Sequence, residues 1–211
     1  DFQTLQESPG RDRQLLAGTI SAEGVFLDAG VAWYPVFRDS PHRFSLSVEV
    51  PDDWQALSQG AGPRETQSAD GKRRIHWQED HPQDDIYLIA APFHRYTSDI
   101  GKVQAQVYLR QADPNLAQRY LDATVDYLAL YQALLGPYPY AKFALVENFW
   151  ETGYGMPSFT LLGPRVIRLP FILHTSYPHE ILHNWWGNGV YVDYSSGNWS
   201  EGLTAYLADH L

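Results

Sequence analysis

Cysteine is absent from the 211 residues, which excludes a disulfide framework, a thiolate nucleophile and any thiolate metal ligand. Positive charge is scarce: 15 Lys and Arg stand against 25 Asp and Glu, a net charge of −10. A phosphate-binding surface needs clustered cations, so nucleic acid is not an expected partner. Long apolar runs are missing as well. The best of them, Ile86 to Phe93, contains Pro92 and falls far short of the roughly 18 residues a membrane span requires. The opening residues, Asp1-Phe2-Gln3-Thr4, carry neither the basic start nor the apolar stretch of a leader peptide. The closing stretch, Leu203 to Leu211, ends inside an apolar pattern without a Gly or Pro stop, which suggests a fragment of a longer protein.

What is present suffices for a core, with 44% apolar and 14% aromatic residues. From Gly18 to about Leu109 the pattern is that of strands. Phe44, Leu46, Val48 and Val50 alternate with Ser45, Ser47 and Glu49, and Val103, Ala105, Val107 and Leu109 alternate in the same way. Ile75 and Trp77 flank His76, and Ile86 to Ala91 is a short apolar run. Turn-forming clusters at Pro51-Asp52-Asp53, Gly60-Ala61-Gly62-Pro63 and Asp70-Gly71 separate these segments. Short strands at this spacing predict an antiparallel β-sandwich or saddle-like sheet over residues 1–110.

A boundary is expected between Arg110 and Pro114. Asp113 can cap, and Pro114 can start, a helix whose apolar face is Leu121, Val125, Leu128 and Leu135 and which ends at Gly136-Pro137. Its tyrosines, Tyr120, Tyr127 and Tyr131, are expected to pack. Three strands should follow: Phe143 to Val146, Met156 to Leu162, and Val166 to Leu169.

The chemistry concentrates at His179-Glu180-Ile181-Leu182-His183. Residues four apart on a helix lie about 40° apart around its axis, so both imidazoles share one face and one divalent cation can take both. Neutral imidazole nitrogens suit Zn²⁺, and a catalytic zinc keeps three protein ligands and one open position. Glu180 projects beside the metal, where a carboxylate can act as general base. At this composition the pattern would arise by chance about 0.01 times per chain. Thr175 or Ser176 can cap the helix, and Pro178 falls in its first turn.

The acidic residues after His183 are Asp193, Glu201 and Asp209. Glu201 is favoured as third ligand because Ser195-Ser196-Gly197-Asn198 ends one helix and lets another begin near Trp199; Asp193 is the alternative. The other histidines, His42, His76, His81, His94, His174 and His210, stand alone, and only His174 is placed to line the same cleft.

The stretches His-Glu-Ile-Leu-His-Asn-Trp-Trp-Gly-Asn over 179–188 and Trp-Ser-Glu-Gly over 199–202 resemble the gluzincin aminopeptidases, relatives of aminopeptidase N and leukotriene A4 hydrolase. The resemblance implies an α+β protein with a β-domain over residues 1–110 followed by the first part of a thermolysin-like zinc metallopeptidase domain over residues 111–211. It implies one zinc ion on His179, His183 and Glu201, Glu180 as base, and a peptide substrate; Trp185, Gly187 and Asn188 are the usual sequel to the second histidine. The connection from His183 to Glu201 is one residue shorter than the family's. The resemblance also implies an edge strand that binds the substrate backbone at Gly155, Met156, Pro157 and Ser158. There Pro157 replaces the family's amine-anchoring Glu, so metallopeptidase is better supported than aminopeptidase. Trp33-Tyr34-Pro35 also looks like the family's N-terminal domain, where packing is its expected role. The relatives' oxyanion donor, a Tyr, lies beyond Leu211. A zinc-keeping, peptide-binding scaffold without turnover is the alternative function.

Overall fold

The computed structural model describes residues 18–35, 40–67 and 70–210. The opening residues Asp1-Phe2-Gln3-Thr4, and Leu211, lie outside that range. The chain forms two compact units, one reaching to His94 and one from Arg95.

The described residues of the first unit form seven strands: β1 (Thr19–Ile20), β2 (Val25–Leu27), β3 (His42–Pro51), β4 (Gln55–Leu57), β5 (Ala61–Gln67), β6 (Lys72–Gln83) and β7 (Leu88–Ala91). They pair antiparallel in two sheets, ordered β1-β2-β7-β4 and β3-β6-β5. The two-residue period predicted for Phe44 to Val50 decides which face is covered: Phe44, Leu46 and Val48 turn inward while Ser45, Ser47 and Glu49 stay exposed. Opposite them, Ile75 and Trp77 of β6 are fully buried. The Trp77 indole donates to the carbonyl of Ala56 at 3.2 Å and so ties one sheet to the other. Tyr34 packs as expected; its hydroxyl donates to Asp85 at 3.0 Å and accepts from the Ile86 amide.

The second unit is built on a five-stranded sheet ordered β11-β12-β10-β9-β8, from β8 (His94–Ile100), β9 (Val103–Leu109), β10 (Lys142–Glu147), β11 (Gly153–Met156) and β12 (Phe159–Leu162). Strand β9 pairs in parallel with β10 and is joined to it by α1 (Pro114–Leu135), a βαβ unit. The change of unit therefore comes before β8 and β9, not near Arg110 to Pro114 as the sequence suggested. Alternation tells that a strand has two faces and says nothing about which sheet adopts it.

Helix α1 starts as predicted, with the Asp113 carboxylate accepting from the Leu116 amide at 2.9 Å. Its buried face is Leu116, Ala117, Tyr120, Leu121, Thr124, Leu128 and Tyr131, so the tyrosines carry more of the packing than Val125 and Leu135, which are half-buried. Met156 to Leu162 is not one strand: it is a hairpin of β11 and β12 that turns at Pro157-Ser158, with Ser158 at φ +69°. Val166 to Leu169 is not a strand either. Val166–Arg168 is a 3-10 turn whose carbonyl at Ile167 accepts from the Tyr120 hydroxyl at 2.9 Å. None of the described helices is long and apolar enough to cross a membrane.

The Asp113 cap satisfies an amide that α1 cannot satisfy itself. Asp113→Ala should lower unfolding free energy by about 1 kcal/mol in a denaturant titration, and Asp113→Asn should retain most of it.

Candidate metal centre

Two helices supply the site, α2 (Ser176–Leu182) and α3 (Trp199–His210). Tyr177, Pro178, Ile181 and Leu182 form the buried face of α2. That burial fixes the helix's rotation and turns His179, Glu180 and His183 to the other side. Tyr177 sets the depth: its hydroxyl shares a 2.6 Å hydrogen bond with Thr124, and its ring meets that of Tyr120 edge-on at 4.8 Å. The expected cap from Thr175 is not made, because its hydroxyl donates back to the Phe171 carbonyl at 3.0 Å. His183 follows the last residue of α2 but keeps the helical geometry, its amide donating to the His179 carbonyl at 3.2 Å.

Helix α3 is positioned by contacts that the sequence did not reveal. The Trp186 indole donates to the Thr204 hydroxyl at 2.6 Å, and both Ser200 and Thr204 are buried. Asn198 accepts from the Glu201 amide at 3.4 Å at the start of the helix. Glu201 therefore lies in the first turn, facing α2. Its Oε2 is 3.3 Å from His179 Nε2, its Oε1 is 3.4 Å from His183 Nε2, and the two Nε2 atoms are 3.0 Å apart. Among the described residues, these three form the group of side chains whose donor atoms are close enough to share a metal ion. Donor atoms on a tetrahedral zinc at roughly 2.0 to 2.1 Å stand about 3.3 Å apart. The donor set thus fits zinc both in kind and in spacing. Asp193 is elsewhere occupied: it accepts from the Ser195 amide and hydroxyl, which hold its pKa below the usual carboxylate value. His174 is exposed on a 3-10 turn, outside the group.

Burial, and secondarily the charge of Glu201, pushes the Glu180 carboxyl up to about 7. Burial lowers the His183 pKa and so favours its neutral, ligating form. Glu180 lies against the edge strand. A Cβ at Gly155 would collide with the Glu180 Oε2, so any side chain there would push the Glu180 carboxylate from its present position.

Of the four residues expected to meet substrate, Gly155 alone is exposed; Met156, Pro157 and Ser158 are buried. Their side chains point inward because they form the end of β11 and the hairpin turn. Ser158 accepts a 2.7 Å hydrogen bond from Lys142, fully buried at the start of β10. The Ser158 amide donates to Asn184 at 2.7 Å, and Asn184 in turn donates to the carbonyls of Glu180 and Ile181. One side chain thereby fastens the edge hairpin to the helix that carries Glu180. Lys142 was not legible, since it sits in no pattern that distinguishes it from a surface polar residue, and the 179–188 stretch that contains Asn184 does not reveal its bond to Ser158.

The segment after His183 closes on the same point. Gly187 has φ +94°, and an added Cβ would press on His183 Nδ1 and Ser200 Oγ. Trp185 is buried and donates to the Gly136 carbonyl at 3.1 Å, and the Asn188 amide donates to the His183 carbonyl at 3.0 Å. Gly187→Ala should therefore displace the His183 ring and weaken Zn²⁺ affinity about 10- to 100-fold in a metal titration, with the circular dichroism spectrum retained.

No family model matches the chain. It is 26% identical over 189 residues to mouse (Mus musculus) aminopeptidase B, covering 83% of this chain and 27% of that protein. It is 28% identical over 185 residues to aminopeptidase M1-D of Oryza sativa subsp. japonica, covering 79% and 21%. The chain thus spans about a quarter of the length of these curated relatives. Its fold matches a mutant M1 zinc metallopeptidase of Deinococcus radiodurans bound to the substrate Tyr-Ser-Ala, with a TM-score of 0.60 and 18% identity, covering 80% of this chain and 40% of that one. A two-domain M1 zinc metallopeptidase mutant bound to L-arginine gives a TM-score of 0.61 at 19% identity, with the same coverage. The chain is thus similar in sequence to curated aminopeptidases and shares the α+β fold of M1 zinc metallopeptidases.

Proposed function

We propose that this chain carries the metal-binding and proton-handling part of a zinc-dependent peptidase, with His179, His183 and Glu201 as ligands, Glu180 as general base and an extended peptide as substrate. The observation that carries the reading is the convergence of two imidazoles and one carboxylate at the spacing of a tetrahedral shell, with a second carboxylate facing the sheet edge. The relatives are named as aminopeptidases and zinc metallopeptidases, which supports the same reading.

Zinc held there supplies Lewis-acid chemistry, polarising the scissile carbonyl and acidifying water. The chain's own residues do the rest. Strand β11 lies at the end of its sheet, paired on one side only with β12, so its free edge offers backbone donors and acceptors to an extended peptide. A peptide pairing there passes Gly155, which brings its carbonyl carbon beside the Glu180 carboxylate. Glu180 takes the proton from the attacking water and delivers it to the departing amine nitrogen. Asn184 keeps helix and strand in register during this step.

Pro157 is buried in the hairpin turn and presents no carboxylate to a free α-amine. The proposal is accordingly peptide-bond hydrolysis, and N-acetylated peptides should be cut alongside free ones.

Replacing the base separates turnover from metal binding. Glu180→Gln in the full-length protein should keep stoichiometric zinc and lose about 10²- to 10⁴-fold in kcat. Zinc with no turnover in the parent protein would instead indicate a peptide-binding scaffold. Glu180 works as carboxylate, so activity is present above its pKa and lost as pH falls through it. Burial holds that pKa near 7 and a bound cation lowers it; the acid limb of kcat/KM should have its midpoint below 7.

A further inference from the structure

The parallel strands of the second sheet end level with one another. Val146 of β10 is opposite Tyr108 of β9, and Glu147, the last residue of β10, is opposite Leu162, the last of β12. The three carboxyl ends therefore share one rim, the place where open sheets of parallel strands receive ligands. An open cleft of about 620 Å³ lies there. Arg110 and Gln111 line it from the segment after β9, Glu147 from β10, and Pro164, Arg165 and Arg168 from the segment after β12. This is the β9, β10 and β12 side of the sheet, away from the free edge of β11.

The cleft is a local reversal of charge. In a chain with a net charge of −10, three guanidinium groups line it against one carboxylate. That carboxylate is fully engaged: one oxygen of the buried Glu147 accepts from Arg168 and the other from the Arg110 amide at 2.8 Å. Arg168 also donates to the Pro164 carbonyl at 2.6 Å, so two acceptors hold its guanidinium in place. The Arg110 guanidinium lies 5.9 Å from the centre of the Phe149 ring, a contact that leaves its N–H donors available. Arg165 is exposed, and water screens its 3.6 Å pair with Glu151. Three cations against one anion leave two positive charges uncompensated among the lining residues.

We infer that Arg110, Arg165 and Arg168 form a binding site for a phosphoryl dianion, either free phosphate or the phosphate group of a monoester. Two uncompensated charges match a dianion, and guanidinium forks match its oxygens. Arg168, already fixed by Glu147 and Pro164, is the preorganised member, and Arg110 and Arg165 come to it from the ends of different strands. The cleft is larger than a phosphate ion, which leaves room for the organic part of an ester. The site shares no residue with the metal centre, and the inference does not rest on the peptidase reading.

Calorimetric titration of the full-length protein at fixed ionic strength tests this, with sodium phosphate, glycerol 3-phosphate and acetate as probes. The expected result is one equivalent of phosphate or ester, bound about tenfold more tightly than acetate. Tighter binding of the ester identifies a phosphomonoester as the ligand; equal or weaker binding of it identifies the free ion. Arg165→Ala and Arg110→Ala should each weaken binding about tenfold, and Arg165→Lys should retain part of it. Lys102→Ala, which removes an exposed cation before the other end of β9, should leave it unchanged. Arg168 is left in place because its loss would strand Glu147. Binding should also survive removal of the metal by chelation, a necessary control because phosphate can itself ligate zinc. No binding of either phosphate probe, acetate bound as well as phosphate, an equal loss in Lys102→Ala, binding that disappears with the metal, or binding that survives both arginine-to-alanine substitutions would overturn the inference.

Discussion

Two imidazole nitrogens 3.0 Å apart, each within 3.4 Å of an oxygen of the same carboxylate, bring three donor atoms to one point. With both rings deprotonated on these atoms the three donors repel one another, and a cation between them turns that repulsion into shared attraction. The rest of the second unit can be understood as the means of imposing it. Tyr177 and Ile181, buried against α1 and the sheet, fix the rotation of α2, and the Trp186 bond to Thr204 fixes α3 relative to the segment that follows His183. Each of the three candidate donors is thus aimed by a buried contact.

The same logic extends to the strand beside the centre. Its edge lies close to Glu180, and Gly155, having no Cβ, leaves the Glu180 carboxylate where it is. The Lys142, Ser158 and Asn184 chain holds the hairpin at that distance. All three side chains are buried, so the network acts in a low-dielectric setting where a broken bond leaves a polar group unsatisfied. Stability and positioning draw here on the same contacts.

Some of this was legible in the sequence and some was not, for reasons that differ by residue. His179 and His183 were legible because the helical period places them together, and Asp113-Pro114 because a cap and a starter proline are local signals. The alternation in β3 gave its buried face directly. The membership of β9 in the second sheet was not legible, since a strand's own pattern does not name its neighbour. The turn inside Met156 to Leu162 was hidden because Pro157-Ser158 lacks the Gly or Asn that usually marks a left-handed position, and Ser158 adopts it with support from Lys142 and Asn184. Trp186, Thr204 and Lys142 act through partners 16 to 18 residues away, a distance over which no periodicity operates.

The central claim is that one zinc ion is bound by this particular trio. Zinc K-edge X-ray absorption on the full-length protein addresses it most directly, because it counts and identifies the atoms around the metal. The account predicts two imidazole nitrogens and a carboxylate oxygen at about 2.0 to 2.2 Å, with the carboxylate contribution lost in Glu201→Ala. A shell with fewer than two imidazoles, or one unchanged by that substitution, would contradict it.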